Sequence, residues 1–414
     1  MAVFKTVKLG EIAEICSGGT PSSTNPDFWG GGEIYWATLP DLQKKYLYET
    51  QRKITKLGLE NSSAKLLPIN TIIFSSRATI GEISISKVET TTNQGSKNLI
   101  CNPEKANYEY LYYCLKFNAR RIEQLASGAT YKEINKNDLS NVEISLPDLS
   151  NQTRIASVLC AYDDLIENNE KRIKILEEMA QRLYTEWFVK FKFPGHEKVK
   201  MVDSGTEYGM IPEGWEVKST AELFDILGGG TPARKAATNW NDGDINWFTP
   251  TDITRTNQMF IDESSEKITK SGLKTSSAKL FSPYSIMMTS RATIGAISIN
   301  TVSASTNQGF IVCLPNSEVP LYFLYYWLRA RVPSFIALAS GATFKELSRG
   351  VFKKIKMLCP DGPVLNEFEN KVKPVAKLIL FLQRQIRNLS KTRDLLIPQL
   401  VTGKRLVNNN DKKS

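Results

Sequence analysis

Histidine occurs once in the 414 residues, at His196, inside Phe193-Pro194-Gly195-His196-Glu197, a stretch that reads as a connector. The commonest general base is therefore missing from everywhere else, and a hydrolytic triad within the chain is not expected. The six cysteines, Cys16, Cys101, Cys114, Cys160, Cys313 and Cys359, never approach a CxxC spacing. Neither zinc-ligand arithmetic nor a disulfide framework is available, which leaves buried free thiols and no metal site. No phosphate-cradling GxxxxGK[ST] loop occurs: Gly403-Lys404-Arg405 lacks both the upstream glycine and the hydroxyl residue. Gly228-Gly229-Gly230 has no following helix pattern with an acidic partner, so a tight turn is expected there. No apolar run approaches about 18 residues, and Met1-Ala2-Val3-Phe4-Lys5 lacks the hydrophobic stretch of a signal peptide. A cytoplasmic protein without a membrane partner is expected.

What is present is basic. Lysine and arginine number 53 against 43 acidic residues, a formal net charge of +10, which points toward a polyanionic partner. With 41% hydrophobic and 23% charged residues the chain is an ordinary globular one, long enough for two cores.

The chain is also written twice. Ser62-Ser63-Ala64-Lys65-Leu66 returns as Ser276-Ser277-Ala278-Lys279-Leu280, and Ser75-Ser76-Arg77-Ala78-Thr79-Ile80-Gly81 as Thr289-Ser290-Arg291-Ala292-Thr293-Ile294-Gly295. Thr92-Asn93-Gln94-Gly95 returns as Thr306-Asn307-Gln308-Gly309, and Ser127-Gly128-Ala129-Thr130-Tyr131-Lys132-Glu133 as Ser340-Gly341-Ala342-Thr343-Phe344-Lys345-Glu346. Trp29 and Trp240 lie 211 positions apart, Arg77 and Arg291 214, Gly128 and Gly341 213. A period this long exceeds the roughly 20–50 residues of a solenoid unit, so each copy is expected to be a domain with its own core. Within each copy, short β-rich runs such as Thr71-Ile72-Ile73-Phe74 alternate with turn residues and a helix expected near Tyr108 to Leu125, an α+β pattern.

Each copy is followed by a segment of another kind. Ile155, Leu159, Tyr162, Ile166, Asn169, Ile173, Leu176, Ala180, Leu183 and Trp187 alternate in steps of four and three, the spacing of a long helix with a coiled-coil seam. Leu365, Phe368, Val372, Val375, Ile379, Leu382, Ile386 and Leu389 keep the same rhythm after the second copy, with Asp361-Gly362-Pro363 as a start signal. Asn169 at a seam position is suited to fixing register. Pro374 predicts either a kink or a helix that begins near it, because an interior proline costs about 3 kcal/mol and one hydrogen bond. Carboxylate pairs such as Asp163-Asp164 and Glu177-Glu178 fall mostly off the seam and read as solvated faces.

Taken in order, the first copy, the helix with Ala180-Gln181-Arg182-Leu183-Tyr184-Thr185-Glu186-Trp187-Phe188-Val189, then Phe193-Pro194-Gly195, Ile211-Pro212-Glu213-Gly214-Trp215-Glu216-Val217, the second copy and Arg393-Asp394-Leu395-Leu396-Ile397-Pro398-Gln399-Leu400-Val401-Thr402-Gly403 resemble the specificity subunits of type I restriction-modification systems over essentially the whole chain. The resemblance implies a non-catalytic α+β protein with two similar target-recognition domains, separated by two long helices that form an antiparallel coiled-coil spacer. The expected divisions are 1–149 and 211–360 for the domains, 150–193 and 361–404 for the helices, 194–210 for a linker and 405–414 for a polar tail. It further implies double-stranded DNA as partner, each domain reading half of a bipartite site. By the same resemblance the spacer is expected to dock two methyltransferase subunits that bind S-adenosylmethionine, and two restriction subunits that use ATP and Mg are expected to complete the nuclease. No cofactor is expected on this chain. A stand-alone DNA-binding regulator and a scaffold using only its helices are the alternative readings.

The candidate DNA-binding residues follow from chemistry and repetition. Arg77 and Arg291, beside Thr79 and Thr293, can grip guanine O6 and N7 with two hydrogen bonds, or a phosphate, or a carboxylate of their own domain. The amides of Asn93, Gln94, Asn307 and Gln308 can pair with adenine N6 and N7, or shape the turn before the following glycine. Gly18-Gly19-Thr20-Pro21 and Gly229-Gly230-Thr231-Pro232 offer backbone that can approach phosphates, or plain turns, with Thr20 and Thr231 at their tips. Ser127, Thr130 and Lys132, and Ser340, Thr343 and Lys345, combine small donors with a cation, as backbone-binding loops do. The spacer and partner interface is expected from Ile155, Leu159, Tyr162, Ile166, Asn169, Ile173, Leu176, Leu183, Val372, Ile379, Leu382, Ile386 and Leu389. Ser22-Ser23-Thr24 stands where the second copy has Ala233-Arg234-Lys235, and Tyr35 where it has Asn246, so the halves need not read identical bases.

Overall fold

The computed structural model describes residues 4–128, 132–341 and 345–407. Thr130, Thr343 and most of the 405–414 tail lie outside these residues. The chain forms two compact units: Met1–Asn168 with Ile386–Ser414, and Asn169–Gln385.

In the first unit the fully buried run Ile72–Ser75, apolar at its first three positions, is the middle strand of a five-stranded sheet ordered Ala13–Ser17, Ser96–Cys101, Ile72–Ser75, Ile83–Ser86, Tyr46–Leu47. A run of this kind must be covered on both faces. The two-residue period divides it: Ile72 and Phe74 enter the main core with Leu99, Tyr113 and Leu115, while Ile73 joins Ala37, Leu42 and Leu47 on the other side. A three-stranded sheet, Arg52–Ile54, Ile34–Ala37, Thr90–Thr92, mixes an antiparallel with a parallel pairing. The helix Tyr108–Gln124 covers the main core and begins where the Asn107 side chain accepts hydrogen bonds from the Glu109 and Tyr110 amides.

The second unit repeats this plan strand for strand. Its five-stranded sheet runs Asp225–Gly228, Phe310–Leu314, Ile286–Thr289, Ile297–Asn300, Phe260–Ile261, beside a three-stranded sheet of Glu266–Ile268, Ile245–Phe248 and Ala304–Thr306. Registers match as well: Ile72 faces Leu99 as Ile286 faces Cys313, and Trp36 faces Arg52 as Trp247 faces Glu266.

Two long helices, Leu149–Tyr184 and Gly362–Val401, follow the two copies. The unit boundaries fall inside both of them. In the first unit Ile155 and Leu159 share a core with Ile397, Leu400 and Val401, and Asp163 pairs with Arg393. In the second unit Asn169 Nδ2 donates to Gln385 Oε1 at 2.9 Å, and the Tyr184 and Phe368 rings pack 6.2 Å apart. Within each unit, then, residue numbers rise along one helix as they fall along the other: the pairing is antiparallel.

The seam follows the 4-3 spacing. Ile155, Leu159, Ile166, Asn169, Val372, Ile379 and Leu382 are buried, while Tyr162, Ile173, Leu176, Leu183, Ile386 and Leu389 are half-buried. Three expectations are corrected. The second helix starts at Gly362, as its start signal has it, and not near Pro374; it continues through Pro374, where Pro374 and Asn370, whose carbonyl loses its donor, are both exposed to water. The first helix gives way to a π-helical turn, Thr185–Val189, and ends short of residue 193, where Phe191 takes a left-handed backbone with φ of 58°. The 194–210 stretch holds more than a linker: Met201–Asp203 forms a hairpin with Met210–Pro212.

Asp163 is a fourth correction. It is 7% exposed, not solvated. Its carboxylate accepts from Tyr113 Oη and Arg393 Nη1, and Lys45 Nζ lies 3.6 Å away. Glu177 is half-buried and lies 3.5 Å from Arg329, whereas Asp164 and Glu178 are exposed as expected.

Candidate nucleic-acid interface

Both units bring the same four sequence motifs to one place. Arg77 follows the strand Ile72–Ser75 and bridges to Glu133, which itself closes the loop from Ser127: Ser127 N donates to Glu133 O at 3.2 Å and Glu133 N to Ser127 O at 2.9 Å. In the second unit Arg291 bridges to Glu346, and Ser340 and Glu346 exchange the same two bonds at 3.1 and 2.9 Å. Arg77, Thr79, Ser127, Lys132, Arg291, Thr293, Ser340 and Lys345 all stand exposed. Beside each arginine an alanine, Ala78 at φ 64° and Ala292 at φ 57°, occupies the left-handed region that a Cβ disfavours, a strained turn held in both copies.

Each arginine meets a carboxylate of its own unit. Arg77 Nε donates to Glu133 Oε2 at 3.0 Å, and Arg291 Nε lies 2.9 Å from Glu346 Oε1. The first unit adds a buried cation: Lys97 Nζ donates to Glu133 Oε1 at 3.1 Å and to Ser76 Oγ at 3.3 Å. Burial opposes ionisation of Glu133, yet the hydrogen bonds from Arg77 and Lys97 hold its carboxyl below the usual range. In the second unit the strand position of Lys97 is taken by Ile311. The first cluster therefore keeps one unbalanced positive charge, while the Arg291–Glu346 pair is neutral.

The amides divide their roles. Asn93 Oδ1 accepts from Gly95 N at 3.1 Å and Asn307 Oδ1 from Gly309 N at 2.8 Å, so both asparagines shape the turn. Gln94 and Gln308 are exposed and take hydrogen bonds from the hydroxyls of Thr20 and Thr231, the latter at 2.6 Å. A cavity of about 340 Å³ in the second unit is lined by Arg291, Thr293, Asn307 and Gln308 together with Pro250 and Thr254.

The glycine loops are not phosphate cradles. A Cβ at Gly18 would stand 2.1 Å from Asn93 O, and one at Gly229 2.0 Å from Asn307 O. Their neighbours' amides are committed, Gly19 N to Thr92 O at 2.8 Å and Gly230 N to Thr306 O at 2.9 Å. Glycine is needed there because two stretches of the same unit's backbone pass at contact distance.

A feature that residue-by-residue reading missed is hydrogen-bonded to those same loops. Trp29 and Trp36 pack edge to face with centroids 5.0 Å apart, as do Trp240 and Trp247 at 5.1 Å. Over each pair sits a guanidinium, Arg52 in one unit and Arg234 in the other. The repetition of Trp29 as Trp240 was the available signal. Arg52 escapes it because the cation over the second pair comes from a non-equivalent position, Arg234, which the sequence marks only as a difference between the copies.

Among the described residues no group of three metal-ligating side chains occurs, and no helix is long and apolar enough to cross a membrane.

Comparison with known proteins agrees with this duplicated architecture. The family model for the type I restriction modification DNA specificity domain matches residues 1–178 and again 212–363. The chain is 31% identical over 407 residues to the type I restriction enzyme MjaIX specificity subunit of Methanocaldococcus jannaschii, covering 96% of this chain and 92% of that one. It is 25% identical to the HindI specificity subunit of Haemophilus influenzae, over 71% and 77% of the two chains. In fold it is similar to the crystal structure of a type I restriction-modification S subunit from M. genitalium, with a TM-score of 0.60 at 15% identity, covering 97% and 96%. The chain belongs to the type I restriction-modification specificity subunits, the non-catalytic recognition components of such systems.

Proposed function

We propose that each unit reads one half of a bipartite duplex DNA site, and that the paired long helices set the unread gap between the halves. The observation that carries this reading is the recurrence, in both units, of one exposed cluster: an arginine on a strained turn, a glutamine–threonine pair and a basic loop. Arg77, Thr79, Gln94, Thr20, Ser127 and Lys132 form the contact surface of the first unit; Arg291, Thr293, Gln308, Thr231, Ser340 and Lys345 form that of the second. DNA competes with Glu133 and Glu346 for the two arginines. Asn93 and Asn307 hold the turns that present the glutamines. The net charge of +10 supplies the long-range attraction.

The seam residues are spent on helix pairing, so partner subunits dock on what the helices leave exposed. Ile175, Met179 and Phe381 in the second unit, and Leu395 in the first, are each more than half exposed. Two methyltransferase subunits bind there, carrying S-adenosylmethionine, and two restriction subunits bring ATP and Mg. The assembly works on cytoplasmic DNA.

A genome-wide map of N6-methyladenine in the native host, with the locus intact and deleted, tests the reading. Loss of methylation at one gapped bipartite motif is expected. An unchanged map in a host whose methyltransferase subunits are expressed sinks it.

A further inference from the structure

The tryptophan pairs are held in the same way in both units. Trp36 Nε1 donates to Gly19 O and Trp29 Nε1 to Ser22 O, both at 2.9 Å; Trp247 Nε1 donates to Gly230 O at 2.9 Å and Trp240 Nε1 to Ala233 O at 3.1 Å. The next residue along each loop is Thr20 or Thr231, bonded to the exposed glutamine. One short loop thus joins the glutamine to the tryptophans, and the arginine above them is exposed in both units.

That guanidinium has two origins. In the first unit Arg52 stands opposite Trp36 in the strand pairing, with Cζ 3.8 Å from the Trp29 centroid and 5.1 Å from that of Trp36. In the second unit the position opposite Trp247 holds Glu266, and the cation comes from Arg234 in the loop, at 4.1 Å from Trp240 and 5.0 Å from Trp247. Both arginines are exposed. Their donors differ. Arg234 is gripped by both oxygens of Glu266, Nη1 to Oε1 and Nη2 to Oε2 at 3.0 Å, whereas no carboxylate among the described residues pairs with Arg52.

Stacking alone would be satisfied by either arrangement; what distinguishes them is the free edge of the fork. A guanidinium fixed by one face on indole, with its edge open to water, is preorganised for a pair of acceptors such as guanine O6 and N7 or two phosphate oxygens. We propose that Arg52 is a nucleic-acid contact of the first unit, and that Glu266 silences the corresponding Arg234 of the second. Glu266 occupies both Nη groups of Arg234 with its two oxygens, whereas Arg77 meets only Oε2 of Glu133 and Arg291 meets Glu346 Oε1 through Nε. The inference rests on the DNA-reading role and makes the two half-sites unequal at this place.

The test measures binding of the full-length chain, together with its methyltransferase subunits, to a fluorescent duplex pool randomised at its centre, as a function of salt. Arg52→Ala is expected to weaken binding about 5- to 100-fold. A loss of about one in the salt slope, uniform across sequences, identifies a phosphate; relaxed preference at one position of the recovered pool identifies a base edge. Glu266→Gln, which frees Arg234, is expected to tighten binding and steepen the slope by about one, while Arg234→Ala in the parent chain changes neither. Wild-type affinity, slope and preference in Arg52→Ala overturn the proposal, as does a loss of thermal stability with the slope intact. The gain in Glu266→Gln does not depend on how well the Arg52 variant folds. Should the unaltered complex bind the pool without salt dependence, the DNA-reading role itself falls, a failure visible before any variant is compared.

Discussion

Glu369 shows what one carboxylate can do when the usual cap is missing. The helix Leu321–Leu338 is preceded by Pro320, which has no side-chain acceptor, so the cap comes from the neighbouring helix: Phe323 N donates to Glu369 Oε1 at 2.8 Å. Burial pushes the carboxyl up to about 7, against the pull of the Phe323 and Tyr322 amides. The folded-state value lies above the ordinary one of 4.5, so the native state holds the proton more tightly than the unfolded chain. The stability this contributes is complete below about pH 4.5 and lost as pH rises through about 7. Glu369→Gln should remove a decline on the order of 3 kcal/mol over that window, read as a flatter dependence of Tm on pH. A decline as steep in the variant as in the parent refutes the assignment. The same scale explains why Asp163 eluded sequence reading. A carboxylate off a helical seam is ordinarily solvated, and its partners Lys45, Tyr113 and Arg393 come from three distant segments that no local spacing connects.

At the scale of elements, the Asn169–Gln385 pair is a polar contact inside an apolar seam. Replacing Asn169 alone by leucine strands the Gln385 amide and should cost about 1–3 kcal/mol. Replacing both by leucine should recover most of that loss, because two apolar partners replace a polar pair in which Asn169 Oδ1 is buried without a hydrogen bond. Equal destabilisation of the single and double variants in denaturant melts would exclude this coupling. The seam itself was legible because ten positions of unbroken 4-3 spacing seldom arise outside a paired helix. The effect of Pro374 was not, since the cost of an interior proline depends on whether the orphaned carbonyl reaches water, and exposure is a tertiary property. Duplication made the fold plan legible: matched motifs demanded matched strands. It hid Arg52 for the same reason, because a like position in space was filled from unlike positions in sequence and Arg234 stood out only as a difference between the copies, and the glycine loops looked free until the strands packed against them were known.

At the scale of the whole molecule, the proposed ruler makes a quantitative demand. Deleting one heptad from each long helix keeps the seam in phase and removes about 10 Å at 1.5 Å per residue. The gap in the methylated motif should shorten by about three base pairs at 3.4 Å each; an unchanged gap, with methylation retained, would exclude the helices as its determinant. The placement of the unit boundaries within both helices bears on how the protein is made. The second unit, Asn169–Gln385, is complete once residue 385 has left the ribosome, while the first still lacks Ile397, Leu400 and Val401, which close its core over Ile155 and Leu159. At about 5–20 residues per second, that face waits on the order of ten to fifty seconds after its own strands are synthesised. The half of the protein that is translated first is therefore the last to finish folding, and its open helix face is where a nascent-chain chaperone has time to act.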